Sequence, residues 1–317
     1  MPLDATVATR VHLLDGFSRD DLRSETGLAA FADAFRSFCE PAKGYERPSA
    51  IVDRRSVRGP HGEIPIRIYT PAAEHRSGVG LVWLHGGGFV AGDLDMADTD
   101  VTARELCFRT GASVVTVDYH LARGGVCFPV PHDDVVTAWR WVVRESAGLG
   151  IDSASLALGG CSAGGNLAAG AALALRDTRS PLPCLLLLAY PVLHEELPVA
   201  PELPEEIELV PAVLRFPPQA VAVMHQTYRG GAAPTSYAVP ALGDLGGLPQ
   251  TAILTSEYDD LRVSGEEFAC ALQAAGVRVK VRREPGAVHG HLNIPGLPAW
   301  ERSIQFLAES LDLAAPD

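Results

Sequence analysis

The sequence predicts an α/β fold in which a mostly parallel central sheet is flanked by helices. Apolar runs of strand length alternate with helix-like segments, and no linker-like stretch interrupts them. The run 182–190 is nearly all apolar, as a strand covered on both faces of a parallel sheet requires. We therefore expect residues 1–317 to form one α/β domain with a substantial core.

The first elements are predicted to be helices and a hairpin. Residues 1–45 hold two helix-like stretches, and the second of them carries three phenylalanines on one face: Phe31, Phe35 and Phe38. This aromatic face fits either packing against the main body or part of a lid. Residues 51–58 and 64–69 alternate apolar and polar side chains around a Gly-Pro-His-Gly turn, which indicates an antiparallel hairpin.

The middle of the chain reads as strands and helices in turn. Apolar, β-rich runs predict buried strands at 80–84, 112–118, 156–159 and 182–190. Helix-like segments at 133–145 and 165–175 lie between them, the second rich in alanine and leucine.

Two glycine-rich motifs each follow one of these strands. Residues 85–89 read HGGGF, and residues 160–164 read GCSAG, which matches the pattern G-x-S-x-G. The second motif lies between a strand and a helix, the context of a sharp turn that exposes a serine hydroxyl. Ser162 is therefore a candidate nucleophile, although an ordinary glycine-rich turn is the alternative interpretation.

The same motifs predict a site for a developing negative charge. The helix that begins at Ala163 directs its free N–H groups and positive dipole end toward the serine. The glycine loop offers further N–H groups without side chains in the way. We expect Ala163, Gly87 and Gly88 to donate to the oxyanion of an acyl-transfer reaction.

At this point the chain resembles the hormone-sensitive-lipase-like esterases, the bacterial family IV carboxylesterases of the α/β-hydrolase superfamily. The resemblance runs from about residue 60 to the C-terminus, and three segments carry it besides the two glycine motifs: 117–122 (VDYHLA), 248–262 (LPQTAILTSEYDDLR) and 286–290 (GAVHG). It implies an α/β-hydrolase fold with a helical cap, built here from about 1–45 and 193–231. Members of that family often form homodimers.

The resemblance also assigns the two partners of Ser162. Among ten histidines, His289 occupies the family's histidine position, and His291 stands where the family usually has a bulky apolar residue. Asp259 matches the position of the acid. Asp260 is then expected to be a solvated loop carboxylate or a helix cap. The order serine, aspartate, histidine is the one expected of this fold.

Two positions depart from the family pattern. Cys161 stands where most of these esterases have aspartate, so the hydrogen bonds of that carboxylate are lost. We expect its thiol to be buried and unreactive. Arg123-Gly124 replaces the usual Pro-Glu in a loop that normally braces the serine turn. Neither change removes a catalytic group.

Residues 193–231 carry several prolines and an acidic run consisting of Glu195, Glu196, Glu202, Glu205, Glu206 and Glu208. Such a run is typical of a solvated face, but it could also repel anionic substrates. A helical stretch is expected from about Pro217-Pro218 to Tyr228.

Composition and charge exclude several kinds of partner. The formal net charge is −13 with two lysines, which argues against nucleic acid and anionic membranes as partners. No apolar run approaches the roughly 18 residues of a membrane-spanning helix, and residues 1–23 do not resemble a signal peptide. The six cysteines include no C-x-x-C pair, and we expect reduced thiols in a cytoplasmic protein.

The sequence thus predicts a serine carboxylesterase that acts on a small, neutral, short-chain ester through an acyl-enzyme. His289 and His291 could together bind a metal, but no third ligand with suitable spacing is present, so neither metal nor cofactor is expected. An amidase or acyltransferase would use the same residues. A small-molecule receptor on a hydrolase scaffold is an alternative of another class.

Overall fold

The computed structural model describes residues 2–18, Asp21, 25–199 and 203–314. Its centre is an eight-stranded sheet with the strand order β1-β2-β4-β3-β5-β6-β7-β8. The strands are β1 (Ile51–Gly59), β2 (Gly62–Thr70), β3 (Gly80–Leu84), β4 (Ser113–Val117), β5 (Leu156–Cys161), β6 (Leu185–Ala189), β7 (Gln250–Tyr258) and β8 (Val279–Val288). Strand β2 is antiparallel to both of its neighbours, and the pairs from β4 to β8 are parallel.

Helices cover both faces of this sheet. They are α1 (Ala5–Arg10), α2 (Glu25–Phe38), α3 (Asp100–Thr110), α4 (Val130–Glu145), α5 (Ala163–Asp177), α6 (Pro218–Arg229), α7 (Arg262–Ala274) and α8 (Pro298–Asp312). Short 3₁₀ turns lie between them, including Glu205–Leu209 and Ala212–Leu214. No helix of the described residues is long and apolar enough to cross a membrane.

The alternation of side chains along each strand divides the core into two apolar clusters. In β3, Val82 and Leu84 belong to one cluster, together with α4, α5 and α7. Leu81 and Trp83 point to the other face, where α3 and α8 pack. Successive strand side chains point to opposite faces, so a wholly apolar β3 fills both clusters.

The predicted hairpin and the predicted order of strands and helices are confirmed, with shifted ends. Strand β6 begins at Leu185 rather than at 182, because Pro183 has no N–H to donate to the sheet. Helix α4 begins at Val130 rather than at 133, because Pro131 is tolerated in the first turn of a helix.

The N-terminal helices pack against the second cluster. The rings of Phe31 and Phe35 stack with centroids 5.5 Å apart, and those of Phe35 and Phe38 with centroids 6.2 Å apart. Phe38 is buried in the same cluster as Leu214 and Leu292. The packing interpretation of the aromatic face is therefore confirmed, and its role in a lid stays a prediction.

The parallel strands bring the candidate residues to one edge of the sheet. His85 follows β3, Ser162 follows β5, Asp259 follows β7 and His289 follows β8, in each case as the next residue. Because the carboxyl ends of parallel strands lie at the same edge, four positions distant in sequence become neighbours.

Candidate active site

Ser162 sits in a strained turn between β5 and α5. Its backbone has φ 52° and ψ −114°, a conformation that a residue other than glycine rarely adopts. The turn fits because Gly164 has no side chain: a Cβ there would lie 2.4 Å from the carbonyl oxygen of His85. The strained serine is therefore held by close backbone contact with the glycine loop, and the glycine-rich pattern is more than an ordinary turn.

A hydrogen-bonded chain joins the three residues that the sequence selected. The Oγ of Ser162 lies 3.0 Å from Nε2 of His289, and Nδ1 of His289 lies 2.7 Å from Oδ2 of Asp259. The Asp259 side chain has no exposed surface, and its Oδ1 accepts a hydrogen bond from the N–H of Leu261. A buried carboxylate accepts from Nδ1, so Nε2 is left to accept the proton of the serine hydroxyl.

His291 is built into the core. Its Nδ1 lies 3.0 Å from the Oγ of Ser256, and its Nε2 lies 2.7 Å from the Oγ of Ser303. Burial lowers the pKa of His291 to about 3, so the ring is neutral at physiological pH. With both nitrogens engaged, His291 cannot join His289 on a metal ion without breaking these bonds.

Asp260 is not the solvated carboxylate or helix cap that we expected. It is buried, and its two oxygens accept from Nε and Nη2 of Arg215 at 2.8 and 3.0 Å. Oδ2 also accepts from the N–H of Phe216 at 2.6 Å. The segment before α6 folds over this loop and supplies a cation, which makes burial of the carboxylate affordable. Residues Asp259 and Asp260 thus have different partners, His289 and Arg215.

The glycine loop lies against the serine turn. A Cβ on Gly86 would come within 3.6 Å of the Cβ of Ser162. Gly87 has φ 118° and Gly88 has φ 59°, and a Cβ on Gly87 would collide with the carbonyl oxygen of Ala91. Within the described residues, the N–H groups of Gly87, Gly88 and Ala163 have no protein acceptor. These donors are available to an oxygen atom bound beside Ser162.

His85 helps to fix the shape of this loop. The Nδ1–H of His85 donates to the carbonyl oxygen of Gly86 at 2.6 Å, and the ring stacks on Tyr119 with centroids 4.1 Å apart. Burial lowers the pKa of His85 to about 4, so the ring is neutral and keeps its role at neutral pH. The Tyr119 hydroxyl donates to the carbonyl oxygen of His85, which anchors the start of the loop.

Two aromatic side chains enclose His289. The centroid of the Phe216 ring lies 4.5 Å from that of His289. The Tyr190 ring meets the imidazole edge to face, with the two centroids 5.1 Å apart. Ser162 is only 5% exposed and His289 only 9%. Sequence reasoning missed Phe216 and Tyr190, because neither belongs to a motif that signals contact with a histidine far along the chain.

Cys161 is fully buried beside Asp98, a residue that the sequence did not single out. Its Sγ lies 3.9 Å from the carbonyl oxygen of Asp98. Burial, with a smaller contribution from the negative charge of Asp98, raises the pKa of the Cys161 thiol well above its usual range. The expectation of a buried thiol is confirmed, and its lack of reactivity stays a prediction. Burial also raises the pKa of the Asp98 carboxyl to about 6.

The second departure lies on the surface. Arg123 is exposed, and Gly124 has φ 61°. The loop is joined to the glycine motif just before this point, where the N–H of Ala122 donates to the carbonyl oxygen of Phe89. With Arg123-Gly124 in place, the backbone still joins this loop to the glycine motif.

The acidic run is partly solvated and partly paired. Glu195 forms an ion pair with Arg229 of α6. The Glu208 side chain is 82% exposed and lies 3.4 Å from Nη1 of Arg215. Glu202 lies outside the described residues. Two of the charges are thus balanced by arginines of the same region, which weakens the idea that the run repels anionic substrates.

The family and the relatives of this chain agree with the geometry. Residues 81–293 match the family model described as alpha/beta hydrolase fold. The chain is 36% identical over 256 residues to the carboxylesterase NlhH of Mycobacterium tuberculosis, covering 78% of this chain and 77% of the relative. It is 31% identical over 265 residues to an ethyl acetate hydrolase of Pseudomonas putida, covering 78% of each.

A solved structure extends the likeness to the whole chain. A hyperthermophilic esterase from the archaeon Pyrobaculum calidifontis matches with a TM-score of 0.80 and 29% identity, covering 99% of both chains. The strand order, the serine turn and the family match all agree with an α/β-hydrolase fold. The chain belongs to the α/β-hydrolase fold family, within its hormone-sensitive-lipase-like carboxylesterases.

Proposed function

We propose that the protein hydrolyses small, neutral, short-chain carboxylic esters through an acyl-enzyme formed on Ser162. The similarity to a carboxylesterase and to an ethyl acetate hydrolase supports the hydrolysis of esters. The observation that carries the assignment to particular residues is the chain from Ser162 through His289 to buried Asp259. Serine, imidazole and carboxylate in this geometry serve one purpose, the activation of a hydroxyl as a nucleophile.

The first half of the reaction transfers the acyl group. His289 Nε2 takes the hydroxyl proton as Ser162 Oγ bonds to the carbonyl carbon, whose oxygen becomes negatively charged. Asp259 stabilises the imidazolium that forms. When the ester C–O bond breaks, His289 gives its proton to the leaving alkoxide, and an alcohol departs. The acyl group remains on Ser162 as an ester.

The second half reverses the roles with water as the nucleophile. His289 takes a proton from water as the water oxygen bonds to the acyl carbon. The serine oxygen then leaves and recovers a proton from the same nitrogen, so a carboxylic acid is released. In both halves, the N–H groups of Gly87, Gly88 and Ala163 are proposed to bind the oxyanion. Each such donor contributes about 10²–10³ in turnover.

The cap is proposed to consist of the described parts of 1–45 and 193–231. Asp4 donates its N–H to the carbonyl oxygen of Gly286, and Ala42 donates to that of Pro295, so the N-terminal segment brackets the His289 loop. In the second segment, Phe216 lies on His289. These contacts support a cap that closes over the ends of the parallel strands.

The preference for short acyl chains is supported by the little room above the serine. A Cβ on Gly88 would lie 3.3 Å from the Sδ of Met224 on helix α6, so the cap helix lies close to the glycine loop. Each methylene contributes about 0.8 kcal/mol only where it can be buried, so chains that outgrow the pocket gain nothing.

The test is hydrolysis of p-nitrophenyl esters of increasing acyl length, with Ser162→Ala as the control for background hydrolysis. We expect kcat/KM to be highest for acyl groups of roughly two to six carbons and to fall beyond them, because further methylenes stay wet or clash. Best activity on long-chain esters, with activation at an oil–water interface, would contradict the proposal.

A homodimer and a cytoplasmic location are proposed as well. The dimer rests on the family resemblance alone, and light scattering on the purified protein tests it.

The location is supported by the cysteines, all six of which are free thiols, as expected in a reducing compartment. Fractionation of cells that produce the protein tests the location.

A further inference from the structure

Phe216 and Asp260 form an arrangement that ester hydrolysis alone does not explain. The Phe216 ring lies 4.5 Å from the His289 ring, centroid to centroid, at an interplanar angle of 58°. It belongs to the segment between the 3₁₀ turn Ala212–Leu214 and helix α6, not to the sheet that positions His289. A residue of the cap segment therefore touches the proposed base.

A buried ion pair holds this segment in place. Asp260 accepts two hydrogen bonds from the Arg215 guanidinium and one from the N–H of Phe216, so a single carboxylate fixes two consecutive residues. Nη1 of Arg215 also donates to the carbonyl oxygen of Ile207, which ties in the 3₁₀ turn Glu205–Leu209. Asp260 raises the pKa of Arg215, so the guanidinium stays charged.

Asp260 also links the cap to the proposed catalytic acid. It is the residue after Asp259, which binds His289 on the same side of the sheet. One peptide bond therefore joins Asp259, which binds His289, to Asp260, which binds Arg215. The loop that carries His289 and the segment that carries Phe216 are therefore both bound to the two consecutive residues after β7. These bonds hold Phe216 close to His289.

The chemistry of the site decides which part of an ester meets Phe216. His289 Nε2 must give its proton to the oxygen of the leaving alcohol, so that oxygen lies within about 3 Å of Nε2 in the reacting complex. The substituent on that oxygen then lies beside the imidazole, where the Phe216 ring is. The carbonyl oxygen instead faces the N–H groups of Gly87, Gly88 and Ala163, the proposed oxyanion donors.

We propose that Phe216 limits the size of the alcohol group that the site accepts, and that Asp260 is a positioning residue that holds Phe216 there. This inference rests on the proposed ester hydrolysis at Ser162 and adds the residue that selects the leaving group. Glu208 offers a matched control. It is a second carboxylate near Arg215, but its side chain is 82% exposed and 3.4 Å from Nη1.

The experiment compares two series of esters on one set of variants. In the first series, acetate is fixed and the alcohol grows from ethanol through benzyl alcohol to 1-naphthol. In the second, ethanol is fixed and the acyl group grows from acetate to hexanoate. The variants are Phe216→Ala, the milder Phe216→Leu, Asp260→Asn and Glu208→Gln. Release of acid is followed by titration at constant pH.

Phe216→Ala is expected to raise kcat/KM for the bulky acetates relative to ethyl acetate by about tenfold or more, the scale on which pocket size discriminates substrates. Relative rates in the acyl series should not move. Asp260→Asn should shift alcohol preference in the same direction, mainly through KM, whereas Glu208→Gln should shift neither. Phe216→Leu should give a smaller shift of the same sign, which covers the case in which the alanine variant is unstable.

Several results would overturn the inference. Unchanged alcohol preference in active Phe216 variants would show that another residue forms this wall. Equal shifts in Asp260→Asn and Glu208→Gln would mean that Asp260 acts only through charge or general stability. A wild-type protein that hydrolyses no ester of either series would refute the proposed function and this inference with it, so the two failures are distinguishable.

Discussion

Replacing Asp259 by asparagine tests the proposed base most selectively, because the change keeps the size of the side chain. In the protein, the carboxylate has no exposed surface and lies 2.7 Å from Nδ1 of His289. An asparagine amide can donate to Nδ1. That bond favours the tautomer with the proton on Nε2, and this nitrogen then cannot accept the proton of Ser162.

The expected loss follows from two contributions. A charge about 4 Å from the imidazolium, at an effective dielectric constant of about 20, stabilises it by roughly 4 kcal/mol, or about 10³ in rate. The unfavourable tautomer adds about another factor of ten. We therefore expect turnover to fall by about 10⁴, which corresponds to roughly 5 kcal/mol of transition-state stabilisation.

The assay is kcat for hydrolysis of ethyl acetate, with thermal unfolding as the check on folding. Asp260→Asn removes the same charge one residue later, from a carboxylate that binds Arg215 instead of the imidazole. On this smallest ester it should lose less than about tenfold. A loss below tenfold for Asp259→Asn, or equal losses for both variants, would refute the assignment of Asp259.

Two more predictions follow from the histidines. His289→Ala should lower turnover about as much as loss of the serine, since the two residues act as one unit. His291→Ala should keep most of the activity. If the measured kcat values came in the reverse order, the base would be His291 instead. Burial lowers the pKa of His85, His225 and His291 to about 4, 4 and 3, so unfolding binds protons below pH 6.5. The melting temperature should therefore fall as the pH drops from about 6.5 to 4, and His225→Leu should flatten this decline; an unchanged slope would contradict the assignment of a buried neutral ring to His225.

The parts that the sequence predicted are those in which a motif and its neighbours constrain the backbone. Ser162 follows from glycines between a strand and a helix, and the structure gives it the strained φ of 52° that such a turn requires. His289 and Asp259 could be chosen only through the family resemblance. The fold explains why that choice is consistent, since each residue directly follows a parallel strand.

The parts that the sequence did not predict depend on contacts between distant segments. The residues next to Asp260 in the sequence do not distinguish it from a carboxylate on the surface. It is buried because it binds Arg215, which lies 45 residues earlier in the chain. Phe216 carries no signal for contact with His289, because an isolated aromatic residue between prolines fits many packing sites. Tertiary contact, rather than local pattern, decides both.

Covalent labelling of Ser162 tests the central claim most directly. A small organophosphate ester that mimics the substrate should react covalently with the protein, with one phosphoryl group bound per protein molecule. Peptide mass mapping should place that group on Ser162 alone. Ser162→Ala should lose both the label and about 10⁴–10⁶ in turnover, with an unchanged melting temperature. Labelling of another residue, or ester hydrolysis that persists in the Ser162→Ala protein, would contradict the account.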